Sequence, residues 1–354
     1  MNIQAQVRTA IKKSPVNAII SAAAENIKKT QKSTGEIPWA VGEKTDPWDM
    51  VESIMGLNIT GYFEESKKAF RWLKKMQLSD GSLYASYVGY APEDKTKDTN
   101  MSSYIAVGAL HYYIITKDID FIKEIWPAVK KGIDFVISLQ AEDGEIYWAK
   151  SPEGITDKMC LLTGSSSVYM SIKCALYLAR ELGRRNHLWE EAAVKLENTL
   201  RNRRHVFNVA KSRYSMDWFY PVLSGALSVA ESEKRIEKYW KKFVVEGMGV
   251  RCVSENPWVT MAETCELVLA LYSIGDINKA EIVYNWILDR RYDDDGSFWC
   301  GFTFPDMVIW PEERLTWTNA VAIMAADALY DITPASNIFS RNFWKINSYW
   351  KHLN

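Results

Sequence analysis

The sequence lacks the patterns that mark a disulfide-stapled, zinc-binding or membrane-spanning protein. Its five cysteines are odd in number and contain no C-x-x-C pair, which argues against a disulfide framework and against a structural zinc site. The four histidines are scattered and show no metal-ligand spacing. No run of about 18 consecutive apolar residues occurs. We therefore expect no metal, no other cofactor and no transmembrane segment.

The sequence also has no excess of either charge. Lys and Arg total 43 against 44 for Asp and Glu, so no positive field covers the surface and nucleic acid is not expected as a partner. Residues 1–14 are not followed by an apolar run with a small-residue cleavage site, so no export signal is predicted. Together with the unpaired cysteines, these features favour the cytoplasm and leave the oligomeric state open.

Aromatic residues, by contrast, are abundant. They make up 13% of the chain and include 15 Trp, whereas the apolar and charged fractions of 47% and 25% are those of an ordinary globular protein. Trp and Tyr are common where a ligand face or a large core must be covered. The composition therefore directs attention to a cleft.

Two kinds of helix alternate along the chain. One kind carries Lys and Glu on a solvated face, and the other is apolar nearly all round, which is stable only inside a ring of other helices. The pattern predicts an all-α fold, an (α/α)6 toroid of six helical hairpins in a single domain spanning residues 1–354. The predicted outer helices are roughly Ala18–Gln31, Tyr62–Gln77, Asp120–Gln140, Leu188–Asn202, Glu231–Val244 and Asn278–Arg291. The predicted inner helices are roughly Trp48–Thr60, Met101–Thr116, Ser165–Leu182, Met216–Ala230, Thr260–Ile274 and Thr318–Tyr330.

The connections before the inner helices are long, and those after them are short. In an alternating toroid the long connections share one pole, which also holds the N-termini of the inner helices. The unpaired N–H groups there suit anions and hydroxyl-rich ligands, so function is expected at this pole. Only short strand pairing is predicted, in Ser82–Tyr87 and Glu145–Trp148.

Acidic and aromatic residues are concentrated at the starts of the inner helices. Asp49 and Glu52 lie one turn apart on the first of them, and Glu263 falls within an apolar helix, where a carboxylate is unfavourable unless it has a function. Paired carboxylates beside aromatic rings are what glycoside hydrolysis requires. The candidate catalytic residues are Asp46, Asp49 and Glu263. The candidate substrate-binding residues are Trp39, Trp48, Glu52, Asp98, Tyr104, Trp148, Asp217, Trp218, Trp258, Trp310 and Glu313.

Several of these residues have a purely structural alternative. Asp, Ser and Thr at a helix start are ordinary N-caps worth about 1 kcal/mol, and Asp46 suits a helix with Pro47 at its first position. The run Asp293–Asp295 resembles the acidic motif of terpene cyclases, but the Asp-Gly pair that ends it is also ordinary turn chemistry.

Three outer-helix ends resemble the Gln/Trp repeats of squalene-cyclase and prenyltransferase toroids. They are Trp72–Gln77 with Asp80–Ser82, Phe135–Gln140 with Asp143-Gly144, and Trp286–Leu288 with Asp295–Trp299. The resemblance implies a toroid. It says little about the reaction, because these repeats are structural turns.

A second resemblance covers most of the chain. The segments His111–Tyr113, Trp126–Gly132, Asp143–Trp148 and Leu315–Thr318 are similar to six-hairpin glycosidases, including glucoamylases. In those enzymes acidic residues stand near the position of Glu145 and just before the Leu-Thr-Trp segment, here Glu312 or Glu313. The whole-chain pattern resembles a bacterial group labelled prenyltransferase-like, similar to mycobacterial hydrolases of methylated mannose polysaccharides. That resemblance implies Asp46 or Asp49 paired with Glu263.

The leading hypothesis is an intracellular glycoside hydrolase that acts on an oligosaccharide or polysaccharide. One alternative is a terpenoid cyclase or prenyl-transfer enzyme, in which the aromatic residues stabilise carbocations and Asp217 or the Asp293–Asp295 run starts the reaction. Another is a non-catalytic carbohydrate-binding toroid. An open polar groove would favour sugar, and a closed apolar pocket would favour an isoprenoid.

Overall fold

The structure, a computed structural model, describes residues 15–349 of the chain and is predominantly α-helical, as the sequence predicts. In chain order the helices are α1 (Pro15–Thr30), α2 (Pro47–Ile59), α3 (Phe63–Met76), α4 (Thr99–Ser103), α5 (Ile105–Thr116), α6 (Ile119–Ile137), α7 (Leu162–Glu181), α8 (His187–Asn202), α9 (Ser215–Leu223), α10 (Val229–Phe243), α11 (Met261–Ser273), α12 (Ile277–Asn285), α13 (Thr316–Tyr330) and α14 (Arg341–Asn347). Two short 3₁₀ turns, Arg204–Val206 and Val209–Arg213, lie between α8 and α9. No helix within residues 15–349 has the length and apolar character that a bilayer crossing requires.

Six helices are buried on most of their surface and contact one another in a closed cycle. The order of the contacts is α2, α5, α7, α9, α11, α13 and back to α2. Each of α3, α6, α8, α10 and α12 packs on the inner helix that precedes it in the chain, and α1 packs on α13 and α2. The predicted alternation of amphipathic and apolar helices is therefore found in the packing.

Side-chain caps set where several helices begin. Asp46 caps α2 by accepting a hydrogen bond from the backbone N–H of Asp49 at 2.8 Å, and Pro47 occupies the first helical position, where its missing N–H is not needed. Ser228 and Glu231 form a reciprocal capping box at the start of α10. The capping role considered for Asp46 is thus confirmed.

One predicted inner helix is shorter than expected. The helix predicted over Met216–Ala230 ends at Leu223, because Pro221 removes an interior hydrogen bond and Gly225 turns the chain with a φ of 74°. The capping box at Ser228 then starts the next outer helix.

Two further helix predictions need correction. The region predicted as Met101–Thr116 starts earlier and is broken at Tyr104 into α4 and α5. The outer helix predicted over Asn278–Arg291 is α-helical only to Asn285 and continues as turns.

Two small antiparallel sheets lie in the long connections. The first contains β1 (Leu83–Val88), β2 (Ala91–Asp98), β3 (Ala149–Lys150) and β4 (Thr156–Asp157), and the second contains β5 (Val244–Val245), β6 (Gly249–Arg251), β7 (Trp258–Thr260) and β8 (Gly301–Thr303). The predicted strand over Ser82–Tyr87 corresponds to β1, which pairs with β2. The segment Glu145–Trp148 forms no strand, and only Ile146 makes an isolated bridge, to Gln140.

Candidate active site

A cleft of about 210 Å³ opens where four of the inner helices or their preceding turns begin. Its wall contains residues from the first turns of α2, α4, α7 and α9 and from the connections that precede the last three. The predicted convergence of long connections on one pole is met for the connections before α4, α7 and α9. The lining residues are Trp48, Asp98, Thr99, Asn100, Met101, Trp148, Leu161, Thr163, Gly164, Lys211, Tyr214, Met216 and Asp217.

Five carboxylates from two helices gather beside this cleft, and we call them the acid cluster. Asp46, Asp49 and Glu52 stand at the start of α2, and Glu263 and Glu266 stand one turn apart at the start of α11. The charge of Glu52 acts on Glu266, that of Glu266 acts on Asp49, and that of Glu263 acts on Glu52 and Glu266. Asp49 is partly buried, and the other four residues are only 3% to 7% exposed.

Aromatic side chains join the acid cluster to the cleft. Trp48, which lines the cleft, donates its indole N–H to Glu52 Oε1 at 3.0 Å. Its ring centroid lies 5.7 Å from that of Tyr104 and 5.3 Å from that of Tyr220. Tyr220 in turn donates its hydroxyl to Glu266 Oε1. A ligand resting on Trp48 would therefore lie next to the carboxylates.

Asp46 is held by two donors. Its Oδ1 accepts from the Asp49 backbone N–H, and its Oδ2 accepts from the indole N–H of Trp39 at 2.9 Å. Burial raises the pKa of Asp46, while these hydrogen bonds act to lower it. Trp39, a predicted substrate-binding residue, thus serves at least to orient Asp46.

Asp49 and Glu52 are set up to hold protons. Burial raises the pKa of Asp49 well above its ordinary value, and the charges of Asp46 and Glu52 raise it further. A hydrogen bond to Asp46 also favours the protonated form of Asp49. Burial raises the pKa of Glu52 to about 8, despite the hydrogen bond from Trp48. Both shifts favour the protonated forms, so both groups can act as proton donors.

The two carboxylates on α11 each have a buried oxygen available to a ligand. The Oε2 atoms of Glu263 and Glu266 have no hydrogen-bond partner among residues 15–349. Burial raises the pKa of Glu266 well above its ordinary value, whereas the hydrogen bond from Tyr220 lowers it. Cys252 lies in hydrogen-bond contact with Glu263, and burial together with that carboxylate raises the pKa of the Cys252 thiol. A buried acceptor without a partner is a site where water or a substrate hydroxyl is needed.

Much of the cleft lining is apolar, and we call its apolar part the apolar wall. It is formed by Met101 of α4, Leu161 before α7, Met216 of α9 and the indole of Trp148. All four side chains are partly exposed, so they contact whatever fills the cleft. This wall offers few hydrogen bonds to the hydroxyl groups of an ordinary sugar.

Two predicted substrate-binding carboxylates line the cleft but also hold its wall together. Asp98 caps α4 by accepting from the backbone N–H groups of Asn100 and Met101, and burial raises its pKa to about 6. Asp217 accepts from the N–H and hydroxyl of Thr163 at 3.2 and 2.6 Å, which ties α9 to α7.

The remaining predicted tryptophans are divided between rim and core. Trp258 and Trp310 pack edge to face with centroids 5.2 Å apart, and Trp310 is 58% exposed. The prediction that Trp218 stacks on a sugar is wrong. It is 2% exposed, donates to the carbonyl of Arg235 and stacks on Phe243 of α10, because its side of α9 faces the outer helix.

Glu313 lies on the α11 side of the site. Its charge and that of Glu263 both act on the thiol of Cys300, whose pKa is raised mainly by burial. Glu313 is partly exposed and is not among the residues that line the cleft.

Carboxylates that the other resemblances suggested have structural partners. Glu145 pairs with Arg203 at 3.4 Å, and Arg314 pairs with both Asp294 and Asp295. Asp295 also accepts from the backbone of Ser297, as expected of a turn. Within residues 15–349 no group of three or more His, Cys, Asp or Glu side chains is arranged to hold a metal ion.

Sequence reasoning missed several functional candidates. Glu266 follows Glu263 by three residues, which is the spacing that drew attention to Asp49 and Glu52, so the same signal would have found it. Tyr220 and the aliphatic members of the apolar wall, Met101, Leu161 and Met216, carry no such signal, because apolar and aromatic residues at helix starts are typical of core; Trp148 of that wall was predicted.

Comparison with known proteins gives one relative of high similarity. The chain is 45% identical over 316 residues to the MMP endo-(1,4)-3-O-methyl-α-D-mannosidase of Mycolicibacterium hassiacum, covering 89% of this chain and 87% of that protein. No family model matches the sequence.

Solved structures with much lower identity share the fold. A GH63 mannosylglycerate hydrolase from Thermus thermophilus, in complex with Tris and D-glycerate, superposes with a TM-score of 0.67 at 11% identity, covering 86% of this chain and 99% of that chain. A D-mannose isomerase superposes with a TM-score of 0.65 at 10% identity, covering 89% and 97%. Since a hydrolase and an isomerase both match, the fold by itself does not decide the reaction.

Proposed function

The chain belongs to the family of the mycobacterial MMP endo-(1,4)-3-O-methyl-α-D-mannosidase and is a glycoside hydrolase, and we propose that it cleaves internal α-(1→4) bonds in a polymer of 3-O-methylated mannose. The observation that carries this proposal is the cleft, which has the apolar wall in its lining and the acid cluster beside it, joined to it through Trp48. The acid cluster supplies the chemistry of glycoside hydrolysis, and the apolar wall suits a methylated sugar.

Asp49 is the general acid in this proposal. Its pKa is raised by burial and by the charges of Asp46 and Glu52, which favours the protonated form that gives its proton to the glycosidic oxygen. Asp46 accepts a hydrogen bond from Asp49 and thereby positions that proton. The C1–O bond breaks as the leaving oxygen takes the proton from Asp49.

Glu263 is the second carboxylate. Its Oε2 is buried without a hydrogen-bond partner among the described residues and belongs to the same cluster as Glu52. It supplies the group that activates water or attacks the anomeric carbon. Glu52 and Glu266 lie one turn further along their helices, where they accept hydrogen bonds from Trp48 and Tyr220. Their charges influence the protonation of the other carboxylates in the cluster.

The apolar wall recognises the methyl ethers. A 3-O-methyl group has no hydrogen to donate, so it gains nothing from a polar wall, whereas burial of one such group is worth about 0.8 kcal/mol, roughly a fourfold preference. Met101, Leu161 and Met216 provide that burial, and Met side chains adapt to irregular ligand surfaces. Trp48 and Trp148 provide flat faces for the sugar rings.

We also propose the finer description of the fold. The closed cycle of α2, α5, α7, α9, α11 and α13, with an outer helix packed on each member, supports an (α/α)6 toroid of six hairpins. The single domain over residues 1–354 and the cytoplasmic location stay predictions from the sequence, and residues 1–14 lie outside those that the structure describes.

The test is a panel of α-(1→4)-linked oligomannosides, with and without 3-O-methyl groups, digested by the wild-type protein and by Asp49→Asn and Glu263→Gln. Mass spectrometry should show internal cleavage of the methylated compounds by the wild type and almost none by either variant. Glu145→Gln is the matched control, because Glu145 pairs with Arg203 and should be dispensable.

Two results would contradict the proposal. Binding of the oligosaccharides without cleavage would favour a non-catalytic carbohydrate-binding protein. Turnover of a polyprenyl diphosphate in place of any glycan would favour the terpenoid alternative, which neither the relative nor the acid cluster supports.

A further inference from the structure

The side-chain amide of Asn100, a residue in the lining of the cleft, makes no hydrogen bond to the residues that the structure describes. Asn100 stands in the first turn of α4 and is 4% exposed. Both ends of the amide, Oδ1 and Nδ2, are buried and lack a partner within residues 15–349. A buried amide without partners lowers stability, so a ligand that supplies those partners gains from the contact.

The polar groups next to that amide hold the wall of the cleft together. Asp98 accepts from the backbone N–H of Asn100 at 2.7 Å, and the hydroxyl of Thr99 donates to the carbonyl of Trp148 at 2.9 Å. The carbonyl of Asn100 accepts from the backbone N–H of Tyr104 at 3.1 Å. Since the backbone of Asn100 is satisfied by the protein, its side-chain amide is the group that remains for a ligand.

Asn100 lies close to the part of the cleft that adjoins the acid cluster. Tyr104, one turn further along the chain, packs on Trp48 with ring centroids 5.7 Å apart, and Trp48 joins the cleft to the acid cluster. The charge of Asp46 acts on Asp98, two residues before Asn100. A sugar unit held beside the acid cluster therefore lies close to Asn100.

A second residue of the lining has an unused donor near Asn100. The indole N–H of Trp148 is buried and has no hydrogen-bond partner among the described residues. Trp148 adjoins the start of α4, since its carbonyl accepts from both the backbone N–H and the hydroxyl of Thr99. The amide and the indole together present donors on two side chains and an acceptor on one. A sugar supplies oxygen atoms for such donors and a hydroxyl hydrogen for such an acceptor.

The proposed substrate has one pair of groups that matches a carboxamide. In an α-(1→4)-linked unit of 3-O-methylmannose, C1 and C4 carry the glycosidic bonds and C3 carries the methyl ether, so free hydroxyl groups remain only at C2 and C6. The 2-hydroxyl is the one that adjoins the ether oxygen at C3. A hydroxyl that donates and a neighbouring ether oxygen that only accepts complement the carbonyl and the NH2 group of an asparagine side chain.

We propose that Asn100 selects sugar units that carry a free 2-hydroxyl beside the 3-ether, with Oδ1 accepting from the 2-hydroxyl and Nδ2 donating to the ether oxygen. This inference rests on the proposed function and adds a polar specificity determinant to it. The apolar wall binds the methyl group, whereas the amide binds the 2-hydroxyl. A ligand without that hydroxyl leaves the buried carbonyl of Asn100 unpaired, and sites built to hydrogen-bond a hydroxyl discriminate strongly against ligands that lack it.

The test is calorimetric titration of the full chain with two ligands. One is a 3-O-methylated α-(1→4)-oligomannoside whose glycosidic oxygens are replaced by sulfur, so that binding is measured without cleavage, and the other is its 2-deoxy counterpart. The wild type should bind the 2-deoxy compound about tenfold more weakly. Asn100→Leu keeps the branched shape without a hydrogen-bonding group, so its two dissociation constants should agree within twofold. Its melting temperature should equal or exceed that of the wild type, because an unpartnered buried amide has been removed.

Asn100→Ala, which is too small to clash with the wall, repeats the comparison and should give the same result. The matched control is Asn202→Ala on α8, whose asparagine is exposed and donates to Asn198, and it should keep the preference of the wild type. The role of Asn100 is overturned if the preference for the 2-hydroxyl is the same in the wild type and in both Asn100 variants.

Failure of the proposed function gives a different result. If the wild type binds neither ligand, both proposals are overturned. If the preference depends on Asn100 but the oxygen-linked oligomannoside is not cleaved, the assignment of Asn100 is supported and the proposed hydrolysis is contradicted.

Discussion

The acid cluster beside the cleft and the apolar wall that lines it occupy similar places in the fold, at the starts of inner helices, yet differ in chemistry. The acid cluster stands at the starts of α2 and α11, and the apolar wall stands at the starts of α4, α7 and α9. The backbone environment is the same on both sides, since each offers the first turn of an inner helix. Under the proposed function, the side chains therefore decide which part of the pole reacts with a substrate and which part selects it.

The two sides also differ in what they demand of folding. Buried carboxylates are unfavourable unless they are protonated or paired, so the acid cluster reduces stability in order to hold reactive protons. The apolar wall carries no such penalty. Variants on the two sides should therefore separate cleanly, one set affecting turnover and pH dependence and the other affecting substrate preference.

The largest effect is expected for Glu263→Gln. Loss of a carboxylate that activates water or attacks carbon should lower kcat/KM on a methylated oligomannoside by about 10³-fold, within the range for such groups. Steady-state kinetics measures this, with exposed Glu64→Gln on α3 as the control. A loss below tenfold would show that Glu263 is not a catalytic residue.

Asp49→Asn should have a somewhat smaller effect that depends on the leaving group. On the natural bond we expect a loss of about 10²-fold, since the amide has no proton of suitable acidity to give. An aryl glycoside with a good leaving group needs no acid, so its cleavage should be largely retained. Equal losses on both substrates would contradict the role of Asp49 as acid.

Glu52→Gln should stabilise the protein at alkaline pH. The folded-state pKa of Glu52 is about 8, against 4.5 ordinarily, so the folded chain holds a proton that the unfolded chain releases. The free energy of unfolding therefore falls as pH rises from about 4.5 to 8, and Gln removes this loss, with a gain on the order of 5 kcal/mol above pH 8. Thermal unfolding between pH 5 and 9 measures it, with exposed Glu64→Gln as the control. Parallel profiles for the wild type and Glu52→Gln would contradict the assignment.

Met101→Gln and Met216→Gln test the apolar wall. Each should lower kcat/KM on methylated substrate by roughly fourfold, the value of one buried methyl group, and leave unmethylated substrate unchanged or improved. Paired kinetics on the two substrates shows whether the loss is selective. Equal losses on both would assign the methionines to general packing.

The smallest effect on activity is expected for Trp218→Phe. The indole packs between α9 and α10 and donates to Arg235, so its removal should lower the free energy of unfolding by about 1 kcal/mol. Activity should change less than twofold. A selective loss of activity at unchanged stability would instead show that Trp218 takes part in substrate binding.

Much of this architecture is predictable because short stretches of sequence show the periodicity of apolar residues, and that periodicity indicates which helix faces are buried. The apolar helices, the Asp46 cap with Pro47, and the carboxylates Asp49 and Glu263 all follow from short-range patterns. The direction in which a given side chain points is less predictable. Trp218 sits next to Asp217, which lines the cleft, yet one residue of helical rotation turns its ring toward the outer helix.

The parts that could not be predicted depend on contacts between distant segments. Tyr220 meets Glu266 across two inner helices, and Lys173 meets Trp344 from far along the chain. Nothing local distinguishes such residues from ordinary core. The premature end of α9 could have been anticipated from Pro221 and Gly225.

One ratio tests most directly whether the acid cluster carries out the chemistry and the apolar wall selects the substrate. It is kcat/KM on a 3-O-methylated oligomannoside divided by kcat/KM on its unmethylated counterpart. We predict that Glu263→Gln lowers both values and leaves the ratio near that of the wild type, whereas Met216→Gln lowers the ratio. A ratio that collapses in Glu263→Gln and survives in Met216→Gln would contradict the assignment of chemistry to one side and selection to the other.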